Sequence, residues 1–498
     1  MEKTFDTNQP ITSQPNIDHS PSLHDVEQQL EKLQRAFMAD PFPSEQLRKQ
    51  QLKALKTALL KHKEKLLKAV SADFGNRSDD ETLLADIMPV VMSIQHTIKH
   101  LREWMKPEKR GASMLFQPVS NFVTYQPLGV VGIMSPWNYP IFLSLGPLVA
   151  AIAAGNRAMI KPSEFTPYTN RVISEILREA FTPDEVCMIE GDAEMAAHFS
   201  ELRFDHLIFT GSTQVGKKVM AAAAKNLTPL TLELGGKSPA IIADDVSAEF
   251  AVERMLYGKC VNAGQTCVAP DYILCPENKI KELVDSFKEQ FCQVYPSLVS
   301  GDYSSVINDQ QYQRLQRWCE DAIAKGAIAI PLSGDQSTTA SSDTQNSSID
   351  SLPRVMPLTL LLNVNDSMLV MQDEIFGPLL PIVPYHSIED AIEFVQQRPR
   401  PLALYLFSLN PKTHDQVLSQ THAGGVCIND AATHVIQEDL PFGGVGPSGM
   451  GKYHALEGFK TFSAAKSVLK RGKINTAKLA LPPYGKPIHK LIYKYLLK

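Results

Sequence analysis

A chain of 498 residues is longer than one ordinary hydrophobic core organises and points to two or three domains. Hydrophobic residues at 44% and charged residues at 21% describe an ordinary globular protein, and a formal net charge of -5 with a pI near 6.2 supplies no basic field for nucleic acid. Seven scattered cysteines (187, 260, 267, 275, 292, 319 and 427), with no CxxC pair and no Cys/His cluster at zinc spacing, argue for a reducing, cytoplasmic setting and against a metal.

The first thirty or so residues carry acids and prolines and lack an apolar h-region, so they are read as a mobile tail and not as a secretory signal. Residues 44–74 place Leu52, Leu55, Leu59 and Leu66 on one face, the pattern of an amphipathic surface helix. Residues 121–126 alternate like a strand and 130–134 form a short apolar run, so two strands are expected before residue 135. The longest apolar run, 141–154, is interrupted by Gly146 and Pro147 and falls short of the roughly 20 residues a membrane span needs. It reads as a buried helix, and no integral membrane segment is expected.

From residue 158 the chain repeats one theme of strand, short loop and helix. Strands are expected at 158–161, 187–190, 206–209, 231–234 and 239–243, with helices at 167–181 and after Gly216, which argues for parallel sheets of the α/β class. A strand at 272–274 and helices at 280–291 and 309–325 suggest a second α/β unit. Residues 333–351, SGDQSTTASSDTQNSSIDS, read as an exposed insertion, and regular structure resumes with a strand at 358–362. The terminal KLIYKYLLK is read as an edge strand or subunit contact in preference to a membrane-surface contact.

Five stretches carry candidate chemistry. A small-residue loop, Asn262-Ala263-Gly264-Gln265-Thr266, delivers Cys267, which is either a reactive thiol or, like most cysteines, core filling. HLIFTGSTQVGKKVM sets Gly211 and Gly216 at GxxxxG spacing before a helix whose first amides suit a pyrophosphate, although a plain tight turn accounts for it as well. Lys218 stands where a P-loop needs a hydroxyl, and the GxGxxG fingerprint is absent. Lys161 and Glu164 in IKPSE sit at a strand end, suited to a ribose diol or simply a surface ion pair. Glu233 in LELGGK, between two leucines of an apolar strand, is either a desolvated general base or the partner of a nearby lysine. Asn138 in PWNYP, pinned by prolines, is either an oxyanion donor or a turn residue.

Together these stretches closely resemble the aldehyde dehydrogenase superfamily. The resemblance rests on PWNYP (136–140), IKPSE (160–164), FTGSTQVG (209–216), LELGGK (232–237), GQTC (264–267), EIFGP (374–378) and PFGGVGPSGMG (441–451), seven motifs in family order across about residues 30–465. It looks most like the class 3 branch, which includes fatty, aromatic and coniferyl aldehyde dehydrogenases. The resemblance implies an aldehyde dehydrogenase fold: a flexible tail (1–24), a variant Rossmann NAD(P)-binding domain (25–111 and 131–232), a catalytic domain (233–438) and a bridging region (112–130 and 439–498) that pairs subunits as a homodimer or homotetramer. By the same carry-over Cys267 is the nucleophile and Asn138 the oxyanion donor, with Glu233 the base that activates water. Lys161 and Glu164 meet the adenine ribose, with Gly211, Ser212 and Gly216 at the pyrophosphate. Glu374 takes the nicotinamide ribose and Phe376 packs by the ring. Glu164 would repel a 2'-phosphate, so NAD is preferred with NADP possible. The rival reading is a thiol hydrolase or acyltransferase that uses Cys267 without nicotinamide.

Overall fold

The computed structural model describes residues 21–113, 116–333 and 352–497. In chain order its strands are β1 (Glu108–Arg110), β2 (Val119–Pro127), β3 (Val130–Met134), β4 (Arg157–Lys161), β5 (Val186–Met188), β6 (His206–Gly211), β7 (Leu230–Leu234) and β8 (Pro239–Ile242). There follow β9 (Tyr272–Pro276), β10 (Ile328–Pro331), β11 (Thr359–Leu362), β12 (Leu379–Tyr385), β13 (Ala403–Phe407), β14 (Gly425–Ile428), β15 (Gly449–Met450) and β16 (Ser463–Arg471).

They form three sheets. One has the order β15-β7-β6-β3-β4-β5 and is parallel except for β15; another has the order β10-β11-β12-β9-β8-β13-β14 and is parallel except at its β10 edge. Every residue of β3, β9 and β13 is buried, as expected of strands covered by helices on both faces. The third sheet, β1-β2-β16, is antiparallel. The fold class is therefore the α/β architecture expected, with two parallel-rich sheets. Two strands fall outside the segments expected to supply them: β1 precedes residue 112, and β15 pairs with β7 and not with the third sheet.

The run at 141–154 forms the helix Phe142–Ala154, whose residues are all buried. The single helix expected over 44–74 is two, Glu45–Lys61 and Lys63–Phe74, with His62 at the junction; Leu52, Leu55, Leu59 and Leu66 all reach the core. Two readings need correction. The mobile tail does not extend through residue 30: a capping box of Ser22 and Asp25 opens the helix Leu23–Ala39, which packs on β3 and β4 with Val26, Leu30 and Leu33 buried. Residues 1–20, like most of the 333–351 insertion, lie outside the described residues. The C-terminal stretch is not an edge strand but the helix Pro487–Leu496, where Pro487 in the first turn and the helical spacing of Ile488, Leu491, Ile492 and Tyr495 override strand-favouring Ile and Tyr.

What matters for chemistry is the joint between the parallel sheets. β7 of one leads through Gly235, Gly236, Lys237 and Ser238 straight into β8 of the other. The loops after β3, β4, β6 and β7 lie at strand C-terminal ends, where α/β sheets bind ligands.

Candidate active site

Cys267 leaves a strained turn. The helix Ala248–Cys260 ends where Asn262 and Ala263 turn left-handed, at φ 54° and 51°, a conformation that costs a non-glycine residue roughly 1–3 kcal/mol. Gly264 follows at φ 75°, and a Cβ there would lie 2.5 Å from the Gly377 carbonyl oxygen. Buried side chains hold the turn. Asn262 Nδ2 donates to the carbonyls of Asn138 at 2.9 Å and Gln265 at 3.2 Å. Gln265 Nε2 donates to Asn262 O at 2.9 Å and Ser305 O at 3.0 Å, while its Oε1 accepts from Ile307 N at 3.0 Å. Tyr139 and Thr266 share a hydroxyl contact of 2.6 Å, and Tyr405 donates to the Val268 carbonyl. Nothing in the sequence singled out Gln265 as the staple of this loop; its fully buried amide identifies it.

Cys267 itself is part-buried, and burial, with the charges of Glu374 and Glu233, pushes its thiol up to about 12. The backbone N–H groups of Cys267 and Val268 work in the opposite direction, toward the thiolate. The other thiols differ: Cys260 and Cys275 are core residues with thiols raised by burial, and Cys427 contacts His434 Nδ1 at 3.1 Å.

Glu233 lies on β7, 3% exposed, flanked by Thr210 of β6 and Gly449 of β15. A Cβ at position 449 would strike the Leu232 carbonyl oxygen at 2.1 Å, which is why the motif over 441–451 is dense in glycine there. Among the described residues neither Glu233 oxygen has a hydrogen-bond partner, and burial raises its pKa well above the ordinary 4.5, opposed by the charge of Lys452. The lysine of its own motif is committed elsewhere: Lys237 Nζ pairs with Asp271 and donates to the carbonyls of Val370 at 2.6 Å and Asp373 at 3.1 Å. That decides between the two readings of Glu233 in favour of an unpaired, desolvated carboxyl.

Cys267 and Glu233 line one cavity, whose walls include Leu84, Leu143, Tyr257, Val261, Ile436 and Phe442. Among the described residues no Lys, Arg or His lines it. Asn138 does not line this cavity but sits beside it, 2% exposed, its Nδ2 donating to Gln265 O at 3.1 Å, which engages one of two amide protons.

The expected cofactor residues form a more open shelf. Lys161, at the end of β4, is 3% exposed; its Nζ donates to Pro162 O at 3.0 Å and pairs with exposed Glu164 at 3.4 Å, the ion pair that the sequence offered as one of two readings. Ser212 is exposed, caps the helix Thr213–Ala224 through Val215 N at 3.4 Å, and no acid stands in that helix's first turn. A helix N-terminus without an acid in its first turn, with a buried lysine and an accessible carboxylate at the end of another strand of the same sheet, fits a dinucleotide. Gly211 and Gly216 close the same turn: a Cβ at 211 would meet the Phe209 ring at 2.6 Å, and one at 216 Leu234 at 2.7 Å. Glu374 comes against the β7–β8 connector, where a Cβ on Gly235 would lie 2.0 Å from Glu374 Oε2; burial and Asp271 raise its pKa to about 8, while the Gly236 N–H and Lys237 lower it. Phe376, at φ 49°, packs edge-on to Trp137 at 5.3 Å between ring centroids.

Comparison with known proteins gives the family. The aldehyde dehydrogenase family profile matches residues 2–468. The probable coniferyl aldehyde dehydrogenase of Pseudomonas aeruginosa is 50% identical over 96% of this chain and 97% of its own length. Aldehyde dehydrogenase family 3 member B1 of Rattus norvegicus is 39% identical over 93% and 94%. Substrate-bound Staphylococcus aureus AldH shares the fold at a TM-score of 0.87 and 37% identity, covering 95% of this chain and 99% of that one. The NAD+ complex of an aldehyde dehydrogenase from Bacillus cereus does so at a TM-score of 0.79 and 26% identity, over 91% and 89%. None of this supports the hydrolase or acyltransferase reading. The chain belongs to the aldehyde dehydrogenase family, in its class 3-like branch, and is an NAD(P)-dependent oxidoreductase acting on the aldehyde group.

Proposed function

We propose that the enzyme oxidises apolar, uncharged aldehydes to carboxylates: aromatic ones such as coniferyl aldehyde, or aliphatic ones of medium to long chain. The observation that carries this is the cavity shared by Cys267 and Glu233, apolar on its walls and without a cationic side chain among the described residues. An aldehyde bearing a carboxylate would bury an unpaired charge there, whereas an aromatic or alkyl tail gains about 25 cal/mol for each Å² removed from water. The name of the 50% identical Pseudomonas aeruginosa relative points to the same class.

In this reading Cys267 reacts as its thiolate, the thiol proton leaving to solvent: Sγ attacks the carbonyl carbon and the carbonyl electrons move to oxygen as a thiohemiacetal forms. The free Nδ2 proton of Asn138 and the Cys267 backbone N–H receive the oxyanion. Bound nicotinamide supplies the hydride acceptor that turns this adduct into a thioester. Glu233 then takes a proton from the attacking water, whose oxygen bonds to the acyl carbon as the C–S bond breaks and the carboxylate leaves. Lys161 and Glu164 would hold the adenine ribose, and Gly211, Ser212 and Gly216 the pyrophosphate. Glu374 would hold the nicotinamide ribose, with Phe376 beside the ring. NAD is preferred and NADP possible.

The domains follow the sheets, with the six-stranded sheet binding the cofactor, the seven-stranded one carrying the nucleophile and the β1-β2-β16 sheet bridging subunits. The assembly is a homodimer or homotetramer in the cytoplasm. Two observations support assembly: β16 is an edge strand, and the helix Pro487–Leu496 exposes Leu491, Tyr495 and Leu496. No described helix is long and apolar enough to cross a membrane.

An NADH-coupled screen tests the substrate class. Coniferyl, benzoic and alkyl aldehydes are compared with aldehydes carrying a carboxylate, with NAD and NADP in parallel. Apolar substrates should exceed carboxylated ones in kcat/KM by roughly 100-fold or more; a preference for the carboxylated set would refute the proposal.

A further inference from the structure

We propose that Arg77 is a positioning residue for the oxyanion site, acting through Asn138; this rests on the reading of Asn138 as oxyanion donor. Arg77 lies between the helices Lys63–Phe74 and Asp79–Thr82 and is 1% exposed. Its Nη1 donates to the Asn138 carbonyl at 3.0 Å, the same oxygen that Asn262 of the cysteine turn reaches at 2.9 Å. The guanidinium carbon stands 4.9 Å from the Tyr139 ring, and the Tyr139 hydroxyl meets Thr266, the residue before Cys267. On its other edge Nε pairs with Glu81 Oε1 at 3.2 Å. That oxygen accepts from Ser304 Oγ at 2.8 Å, and the neighbouring Ser305 carbonyl holds Gln265. One guanidinium thus reaches the proposed oxyanion donor and, by two further paths, the turn that delivers the nucleophile.

Asp86 extends the same hold. It is fully buried, faces Arg77 Nη1 at 3.8 Å and accepts from Phe142 N at 2.6 Å, so the loop that begins at Pro136 is fixed at Asn138 and again where its helix starts. A π-helical turn over Leu83–Ile87 carries Asp86 inward and brings Leu84 and Ala85 to the cavity wall. The cluster is poorly optimised for stability alone: among the described residues Arg77 Nη2 and Asp86 Oδ2 have no hydrogen-bond partner, and buried ion pairs commonly stabilise no better than apolar residues of the same volume. What an apolar substitute cannot do is aim a planar fork at Asn138 and Glu81 together, and neither can an ammonium.

The test is a double-mutant cycle with Arg77→Lys, which keeps the cation that Glu81 and Asp86 face but loses the fork. Misplacing a catalytic group by a fraction of an ångström to one ångström costs up to about 100-fold, so Arg77→Lys should slow the hydride burst and kcat by about 10- to 100-fold while KM for NAD stays within about twofold. Asn138→Ala alone should cost about 100- to 1000-fold. In that background Arg77→Lys should cost less than about threefold, because the group it positions is gone. Equal losses in both backgrounds, or an unchanged burst in Arg77→Lys, would overturn the proposal. An Asn138→Ala enzyme as active as the parent would instead remove the Asn138 reading, and this proposal with it. Should Arg77→Lys not fold, Glu81→Gln, which loosens only the Nε contact, runs the same cycle with a smaller loss and the same signature of non-additivity.

Discussion

The crevice around Cys267 and the shelf at the ends of β4 and β6 are built on opposite plans. In the crevice Asn138, Glu233, Asn262 and Gln265 are all at most 3% exposed, and two strained residues are locked by side-chain hydrogen bonds. On the shelf Glu164 and Ser212 face solvent and a helix N-terminus has no acid in its first turn. The two carboxylates between them show the same contrast. Glu233 has no hydrogen-bond partner among the described residues, whereas Glu374 meets the Gly236 N–H with Lys237 and Arg314 nearby. Chemistry that must move protons at neutral pH needs groups arranged and desolvated beforehand, while a large polar ligand that comes and goes needs groups already hydrated. The expected losses should therefore be large and confined to turnover in the crevice, small and confined to binding on the shelf.

The sharpest break is Cys267→Ala, which should reduce aldehyde-dependent NADH formation by roughly 10⁴-fold or more, with NAD binding by nucleotide fluorescence unchanged. Substantial residual oxidation would end the nucleophile assignment. Glu233→Gln should lower steady-state turnover by about 100- to 1000-fold while a single-turnover hydride burst survives; an unchanged steady-state rate would remove Glu233 as the base. Its raised pKa also fixes two pH signs. Activity should fall as pH drops through a value well above 4.5, and that limb should vanish in Glu233→Gln. Because the folded state holds this proton more tightly than the unfolded chain, the stability Glu233 contributes is full below about 4.5 and is lost as pH rises through the folded value. Glu233→Gln should therefore melt above the parent at about pH 8 and match it near pH 4; a lower melting point at the alkaline end would contradict a desolvated, unpaired carboxyl.

How much of this was legible beforehand follows the same division. The α/β class and the parallel sheets were visible in apolar runs such as 130–134 and 206–209, because buried parallel strands need little but branched apolar residues. The short motifs were visible because each needs residue types no core position demands. Arg77, Gln265 and the Lys237–Asp271 pair were not, since their partners lie 61, 40 and 34 residues away and only folding brings them together. Leu23–Ala39 was lost because its polar composition, dominated by Gln, Glu and Asp, masked three apolar residues at helical spacing. Strand-favouring Ile and Tyr fill the C-terminal stretch and suggest an edge strand or subunit contact, where spacing and Pro487 decide for a helix.

Between the extremes stands Glu374→Gln. The side chain keeps its shape beside Gly235, so the expected change is the loss of charge-assisted hydrogen bonds to a ribose diol, about tenfold in KM for NAD with a smaller change in kcat. A fall in kcat as deep as that of Glu233→Gln would mean the shelf and the crevice are not separate at this point.

The smallest effect, and the one that tests the shelf most directly, is at Glu164. Its side chain is 39% exposed and pairs with Lys161 at 3.4 Å, so a 2'-phosphate arriving there meets both signs of charge. Lys161 is nearly buried with its Nζ held by the Pro162 carbonyl, which leaves Glu164 the more accessible of the two to an arriving phosphate. With water-like screening, a like-charge contact near 4 Å costs about 1 kcal/mol, about fivefold in affinity. Glu164→Gln should accordingly raise the NADP to NAD ratio of kcat/KM about fivefold, mostly by lowering KM for NADP, and added salt should shrink the difference. A ratio that does not move, or that moves equally at high and low salt, would place cofactor choice in contacts other than this carboxylate.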